Sequence, residues 1–492
     1  MKILSEEEYI RLSEQPLKVP IYVRVSSDLV SPIRAYYALR KGHKRGFLLE
    51  SREHVQDVGR YSFLGFDPKI SIEVKGKKTL ITRKGVVQEV DAHYEGVIRK
   101  IIQENRIIQN PDLPPLAGGA VGFMSYDAVR LYEKIPGKHK DKTELPDIYF
   151  GFYETILVFD HLYQMMTLIY IPEKKGTPKE QYQKGKECLK KMLSDVLTYS
   201  QDVDINFDKS APKKNKFETD CSDEEYQKIV KACKEHILAG DIFQVVPSRS
   251  FFRKIDADPL DVFRVLRIIN PSPFMFYLNN EDYIITGSSP ERFASLKEGV
   301  VETMPIAGTI ERGVGTQDLL NEKALLTDEK EIAEHMMLID LARNDTGSIS
   351  LPGSVEVHDM LSIQRLSHVM HITSRVTGRI NPKYDALDVL RAFLPAGTLS
   401  GAPKIRAMEI IDSLEKSKRG IYGGSICYID NLGQLDSCIA IRMAYIREGV
   451  AYVRAGAGVV YDSIPEKEAQ ETLNKARVVL EAIERAEGGD LC

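Results

Sequence analysis

The sequence predicts an α+β fold in which antiparallel sheets are decorated by helices. Two observations carry that prediction. In the glycine-dense region 397–460, three strand candidates follow one another: YGGSICYID, LDSCIAIRMAYIREG and VAYVRAGAGVV, with turns at Asn431-Leu432-Gly433 and Glu448-Gly449. Turns this short return a strand beside its neighbour, whereas a parallel crossover needs a dozen or more residues. The N-terminal part repeats the habit in Gly46–Glu50, Tyr61–Gly65, Ile70–Val74 and Val86–Val90. Nothing alternates strand and helix in the doubly wound manner.

Taken in order, residues 1–15 predict a helix and Pro20–Val25 a strand. Ser31-Pro32 opens a helix to about Leu39, because serine caps and proline suits a first turn. A helix is expected at 94–105. Glycines 118, 119 and 122 in LAGGAVGFM mark close backbone packing or a turn at positive φ, and their GGxxG spacing is not a dinucleotide fingerprint. Strands over 147–160 and 164–171 and a helix over about 179–195 complete an N-terminal region, 1–200. Residues 201–220 mix Asp, Lys, Asn and Pro with few apolar residues and read as a linker. A second region, 221–492, opens on a capping box, Ser222 with Glu225, for a helix to Gly240. Strands are expected in DIFQVVPSRSFF, FMFYLN and DYIITGSS and near 301 and 355, with helices at 361–370 and 384–393.

Composition excludes several classes. The N-terminus, MKILSEEEYIRLSEQ, is too acidic for a secretory signal, and no apolar run reaches membrane-spanning length. Cysteines at 188, 221, 233, 427, 438 and 492 form no CxxC, which predicts a reducing, cytoplasmic setting without structural zinc. Lysine-rich stretches such as 213–216 lack interleaved aromatics, so no nucleic-acid surface is expected.

The chemistry centres on 327–347, TDEKEIAEHMMLIDLARNDTG. Thr327 is the expected N-cap and Asn344–Gly347 the stop. Ile332, Met336 and Ile339, with Leu338 and Leu341, recur at helical spacing. Glu331 and Glu334, three apart, share a side of that helix. A carboxylate beside an apolar stripe is costly unless positive charge meets it. From Pro465 a second helix places Glu468, Glu471 and Lys475 on one face. Each pair alone is consistent with solvated charges or salt-bridge ends. Two such helices brought together can hold a hard cation, and oxygen ligands without cysteine or clustered histidine favour magnesium.

Other polar residues sit where a core role explains them poorly. Gln244 lies between Phe243 and Val245, Arg442 interrupts IAIRMAYI, and His371 follows Val369-Met370. Singly, each is more often structural, His371 as a satisfied core histidine and Arg442 as a buried salt bridge. Gly456-Ala457-Gly458 can offer backbone N–H groups to an anion. With Arg442 and Lys475, those amides suit a substrate bearing two or more carboxylates.

Longer motifs narrow the reading. PIAGTIERG (305–313), DEKEIAEHMMLIDLARNDTG (328–347), FLPAGTLSGAPKIRAMEIIDSLE (393–415), YGG (422–424) and RAGAGVVYDSIPEKEAQET (454–472), in this order, resemble the chorismate-utilising enzymes over almost the whole chain. The resemblance implies that family's fold, antiparallel sheets packed as a central sandwich with helices outside. It also implies magnesium-dependent chemistry on chorismate, in which ammonia adds at C2, the C4 hydroxyl leaves and pyruvate is eliminated to give anthranilate. By the same resemblance Glu334 and Glu471 hold Mg2+, supported by Glu331 and Glu468. Arg442 and Tyr422 bind the enolpyruvyl group, while the Gly456 and Gly458 amides and Lys475 meet the ring carboxylate. Glu291, in SSPERF, is the general acid for the departing hydroxyl; His371 assists pyruvate elimination and Thr398 lines the site. Hydroxide is a poor leaving group, so such an acid must be kept neutral by low dielectric or nearby negative charge.

Two positions discriminate within the family. Isochorismate-forming relatives carry a water-activating lysine where this chain has Gln244. Aminodeoxychorismate-forming members often read PIKGT, with a lysine that attacks C2; here the stretch is Pro305-Ile306-Ala307-Gly308-Thr309. Both departures imply free ammonia as nucleophile and an anthranilate-forming large subunit, with the aminodeoxychorismate-forming component as the alternative. GFLLES (46–51) with NPSPFMF (270–276) resembles the family's tryptophan feedback element. There Glu50 and Ser51 would fix the effector, with Pro273, Phe274 and Met275 as another wall. No glutamine amidotransferase signature is present, so the implied ammonia donor is a separate amidotransferase small subunit in a hetero-oligomer.

Overall fold

Two twelve-stranded antiparallel sheets carry the fold, and each is assembled from both halves of the chain. The computed structural model describes residues 2–51, 59–137, 139, 141, 143–199, 216–365 and 369–489. In the first sheet Arg45–Glu50, from the N-terminal region, pairs with Phe274–Asn280, placing Leu48 opposite Tyr277 and Glu50 opposite Met275. In the second, Gly119–Met124 pairs with Ser425–Asp430, placing Gly122 opposite Cys427. The inner faces pack on each other through aromatic contacts between the sheets: Phe47 with Tyr153 at 4.7 Å, Phe63 with Tyr428 at 5.7 Å and Phe123 with Tyr283 at 6.3 Å between ring centroids. Alternate residues of each strand supply this core, as a two-sheet sandwich requires. Helices lie outside, the C-terminal helix Pro465–Gly488 packing on Pro259–Ile269, Asp223–Leu238 and Val450–Gly456.

The division into 1–200 and 221–492 is therefore one of sequence only, and neither sheet breaks there. Of the expected linker, residues 201–215 lie outside the described residues. Its end is not a linker: Glu218–Thr219 is an edge strand on Ser248–Lys254.

Several elements depart from expectation for identifiable reasons. The N-terminal helix is only Glu6–Leu12, capped by Ser5, because Lys2–Ile3 pairs instead with Arg24 and Val23. Lys78–Arg83, within a stretch read as turn, is a strand whose hairpins close at Gly76 (φ 56°) and Gly85 (φ 78°). Pro259–Ile269 is a helix between two expected strands; its Asp258 cap and Pro259 were legible but overlooked. The helix expected at 361–370 is instead a hairpin of Glu356–Arg365 and Val369–Arg379, since pairing at the sheet edge overrides local propensity. Residues 366–368 lie outside the described residues. Thr327 is not a cap but the last residue of a helix Thr316–Thr327; Asp328 caps the next, accepting from the Lys330 and Glu331 N–H groups. That helix, Glu329–Ile349, runs through the expected stop.

Gly122 tests the packing of Gly119–Met124 against its other neighbour, Ile148–Tyr153. A Cβ there would lie 1.9 Å from the Tyr149 carbonyl oxygen, a backbone atom that cannot swing aside. Gly122→Ala should lower unfolding free energy by about 1–3 kcal/mol, the scale of overpacking, read as a reduced urea midpoint at unchanged slope.

Candidate active site

Tyr283–Ser289 belongs to the first sheet and Arg292–Lys297 to the second, so the chain changes sheets at Pro290-Glu291. Its antiparallel companion changes sheets beside it, Leu435–Ile439 lying in the second sheet and Met443–Arg447 in the first. LDSCIAIRMAYIREG is thus two strands rather than the single one expected, and Arg442 sits at the crossing instead of interrupting a strand. The crossings bond to each other: Ile439 N–H donates to the Glu291 carbonyl (3.1 Å) and Ser288 N–H to the Arg442 carbonyl (3.0 Å). Arg442 adopts φ of 50°, an uncommon conformation for a side-chain-bearing residue, held by these bonds.

Around this crossing the expected residues gather. Thr398 Oγ1 donates to Glu291 Oε2 at 3.1 Å. Burial of the Glu291 carboxyl raises its pKa, against the lowering influence of Thr398, Arg442 and Lys475, and so biases it toward the protonated form. The Arg442 guanidinium donates to the Lys475 carbonyl at 3.2 Å and, among the described residues, forms no ion pair. Burial lowers its pKa, opposed by Tyr422, Glu291 and Glu471. An enclosed cation without a protein carboxylate is costly, and a ligand anion is the partner that removes the cost.

The C-terminal helix brings Lys475, whose Nζ pairs with Glu471 Oε1 at 2.5 Å and donates to the Gly456 carbonyl at 3.2 Å. Gly456 is glycine because a Cβ would meet Pro247 O at 2.6 Å and the Tyr422 hydroxyl at 3.0 Å. Burial pushes the Tyr422 phenol up to about 12, so it remains a hydrogen-bond donor. A Cβ on Gly458 would lie 3.0 Å from Gln244 Nε2, which places Gln244 along the same glycine turn.

His371 Nδ1 lies 3.1 Å from the Gly308 carbonyl and 2.9 Å from Thr309 Oγ1. The carbonyl can only accept, so the proton sits on Nδ1 and Nε2 is free to act as a base. Burial, the larger influence, and Arg442 lower the His371 pKa, keeping the ring neutral.

The two acidic helices share an electrostatic field. Burial raises the pKa of Glu334, and Glu331, Glu471 and Glu468 raise it further; Glu331 and Glu468 are likewise raised, by burial first and then in part by Glu471. A Cβ on Gly308 would be 3.2 Å from Glu331 Oε2, so the turn supporting His371 borders these carboxylates. Among the described residues no group of three His, Cys, Asp or Glu side chains is gathered into a metal-ligating cluster. The oxygen donors from two helices, half-buried and mutually repelling, nevertheless fit a hard divalent cation, which would relieve that repulsion.

The residues expected for an effector lie at the first seam. Glu50 is buried and pairs with Arg267 (Nε to Oε2, 2.6 Å), Met275 is its strand partner, Pro273 is buried and Ser51 follows the strand's end. The Arg292 guanidinium sits 5.9 Å from the Phe274 ring centroid, so the residue after Glu291 reaches this seam. Sequence reasoning missed the buried Glu415–Arg419 pair (2.5 Å), which supports Tyr422: Arg419 lies 5.9 Å from its ring and donates to the Leu399 and Val246 carbonyls. The i,i+4 spacing of opposite charges was its signal.

The fold and this constellation define a class: the profile of the chorismate binding enzyme family matches residues 44–481, and the chain belongs to that family. Within it, the chain is similar to anthranilate synthase component 1. The protein of that name from Acetivibrio thermocellus is 42% identical over 95% of this chain and 96% of its own, and that from Aquifex aeolicus 39% identical over 98% of each. The crystal structure of anthranilate synthase component I from Streptococcus pneumoniae TIGR4 superposes with a TM-score of 0.75 at 36% identity, covering 93% of this chain and 99% of that one. Among the described residues no helix is long and apolar enough to cross a membrane.

Gly456→Ala puts a methyl group between Pro247 O and the Tyr422 hydroxyl. It should weaken chorismate binding about tenfold or more, roughly 1.4 kcal/mol, in calorimetric titration, and the clash with the Pro247 carbonyl should lower the urea midpoint as well.

Proposed function

We propose that this chain converts chorismate and ammonia to anthranilate and pyruvate in tryptophan biosynthesis, as the large component of an assembly whose small subunit is a glutamine amidotransferase. The observation that carries the reading is the juxtaposition at the crossing of a carboxyl biased toward neutrality, Glu291, and a guanidinium that donates to the Lys475 carbonyl and, among the described residues, meets no carboxylate, Arg442. Gln244 and Ala307, in place of lysine, leave the nucleophile to be supplied from outside.

Arg442, Tyr422 and the glycine amides at 456 and 458, with Lys475, bind and orient the two carboxylates of the substrate. Ammonia adds at C2 as the C4–O bond breaks, the bond electrons go to oxygen, and the Glu291 proton makes the leaving group water. His371 Nε2, neutral at the start, then assists elimination of the enolpyruvyl group, which gains a proton to become pyruvate as the ring loses one and becomes aromatic. Glu334 and Glu471, with Glu331 and Glu468, would hold Mg2+, which when bound supplies positive charge to a substrate carboxylate in a site crowded with glutamates. We further propose tryptophan as an inhibitor bound by Glu50, Ser51, Pro273, Phe274 and Met275. Arg292 supports this coupling, because it touches Phe274 and adjoins Glu291 in sequence. Inhibition requires that tryptophan favour one arrangement of this seam over another.

Purified chain given chorismate, Mg2+ and ammonium should release fluorescent anthranilate and pyruvate in equal amounts and lose activity on chelation; isochorismate or stable aminodeoxychorismate would sink the assignment. Glu334→Gln should lower kcat/KM by about 100-fold or more, the scale of losing one transition-state charge contact. Glu50→Gln should retain turnover and raise the tryptophan concentration for half-inhibition about tenfold, a loss of roughly 1.4 kcal/mol.

A further inference from the structure

Glu291 and Thr398 also line a second cleft, of about 50 Å³, which Arg442, Tyr422, Gly456, Lys475 and His371 do not line. Its walls include Leu338, Ala342 and Phe393 and a single further carboxylate, Asp345. Glu291 therefore shares this cleft with Asp345 while Arg442 and Lys475 act on it from the proposed substrate site. Asp345 is buried (7% exposed) and ion-paired with Lys404, Nζ to Oδ2 at 2.7 Å, and Lys404 Nζ also donates to the Phe393 carbonyl at 3.4 Å. In low dielectric a carboxylate–ammonium pair and its neutral acid–amine form lie closer in energy than in water, so such a pair can pass a proton. Burial raises the Asp345 pKa against the lowering influence of Lys404, in keeping with that role.

The reaction proposed above makes a demand that this cleft meets. Each turnover takes one proton from the Glu291 carboxyl into the departing water and releases one from the nitrogen that has added at C2. Bound substrate covers Glu291 on its own side, so the carboxylate left behind must recover its proton by another route. We propose that the Asp345–Lys404 pair, facing Glu291 across the second cleft, returns a proton to Glu291 after each turnover. The Asp345 carboxyl gives its proton through water in the cleft to the Glu291 carboxylate, the Lys404 ammonium reprotonates Asp345, and solvent, which takes up the proton released from the nitrogen, returns one to the Lys404 amine, so protons balance. Water in a space of this kind needs polar partners, and the carboxyls of Glu291 and Asp345 with the Thr398 hydroxyl provide them. Arg442 and Lys475 act on Glu291 and Lys404 on Asp345, and Arg292, paired with Glu302 and Asp436, also lines the cleft. This inference rests on Glu291 being the general acid.

The test uses the full chain with chorismate, Mg2+ and ammonium. Asp345→Asn should lower kcat about tenfold or more with KM little changed, enlarge the solvent deuterium isotope effect on kcat, and be partly rescued by added formate or acetate buffer. Ala342→Leu, which narrows the cleft and leaves the ion pair intact, should act on kcat and the isotope effect in the same direction, and it decides the matter if Asp345→Asn does not fold. Retained kcat and isotope effect in the folded variants would overturn the relay. So would a loss of kcat without isotope effect or rescue, the signature of a mere staple between helices. Glu291→Gln measured alongside separates the two readings. If it loses turnover while the cleft variants keep theirs, only the relay falls; if it keeps turnover, the general-acid assignment falls and the relay with it.

Discussion

The structure depends on a double crossing, in which two antiparallel chain segments leave one sheet and enter the other side by side. A single strand making that passage would strand its backbone N–H and C=O groups away from any ladder, at a cost of several kcal/mol if buried. Run together, the segments satisfy each other, Ser288 to Arg442 and Ile439 to Glu291. The solution fixes an acidic and a cationic residue at the one place where both ladders pause, and it holds Arg442 in a backbone conformation that costs about 1–3 kcal/mol elsewhere. Electrostatic sites gain most from groups placed before the substrate arrives, and here the placement is inherited from sheet architecture.

The acidic side of the site is positioned by different means. The helix Glu329–Ile349 is pinned to the hairpin strand Val369–Arg379 through His335, fully buried, whose Nε2 meets Ser374 Oγ at 2.8 Å. Burial holds His335 down at about 4, so the link is between neutral groups and persists through ordinary pH. Ser374 Oγ in turn accepts from the Leu361 N–H within Glu356–Arg365, where the register shifts between His358 and Ser362. Glu331, Glu334 and His371 are therefore set relative to one another by one packed junction, and the C-terminal helix brings Glu468, Glu471 and Lys475 to meet them. The carboxylates repel across that meeting, and Lys475 offsets part of this through its ion pair with Glu471 and its field at Glu468.

Much of this was legible, unevenly. Local signals were read well where they are local: the Ser222–Glu225 capping box, the Ser31-Pro32 start and the acidic spacing 331/334 and 468/471 all survive in the structure. The interleaving of the sheets was not legible, because pairing of Arg45–Glu50 with Phe274–Asn280 is a long-range choice that neither strand's pattern encodes. Arg442 lies at the crossing between two strands and not, as its sequence context suggests, inside one. A continuous apolar run hides a change of sheet, and the residue that looked like an interruption is where the run ends. The hairpin taken for a helix at 361–370 shows the same limit, since its edge partners decide a segment whose own preference is weak.

The central claim is that the crossing keeps the Arg442 guanidinium half-buried and, among the described residues, without a carboxylate so that a substrate carboxylate can supply one. Calorimetric titration of Arg442→Met with chorismate, paired with its thermal midpoint, tests this directly, because a structural arginine and a waiting one respond with opposite signs. The account predicts affinity weakened roughly 30-fold or more, at least about 2 kcal/mol, with an unchanged or higher thermal midpoint once the unpartnered charge is gone. Unchanged affinity with a lower midpoint would contradict it.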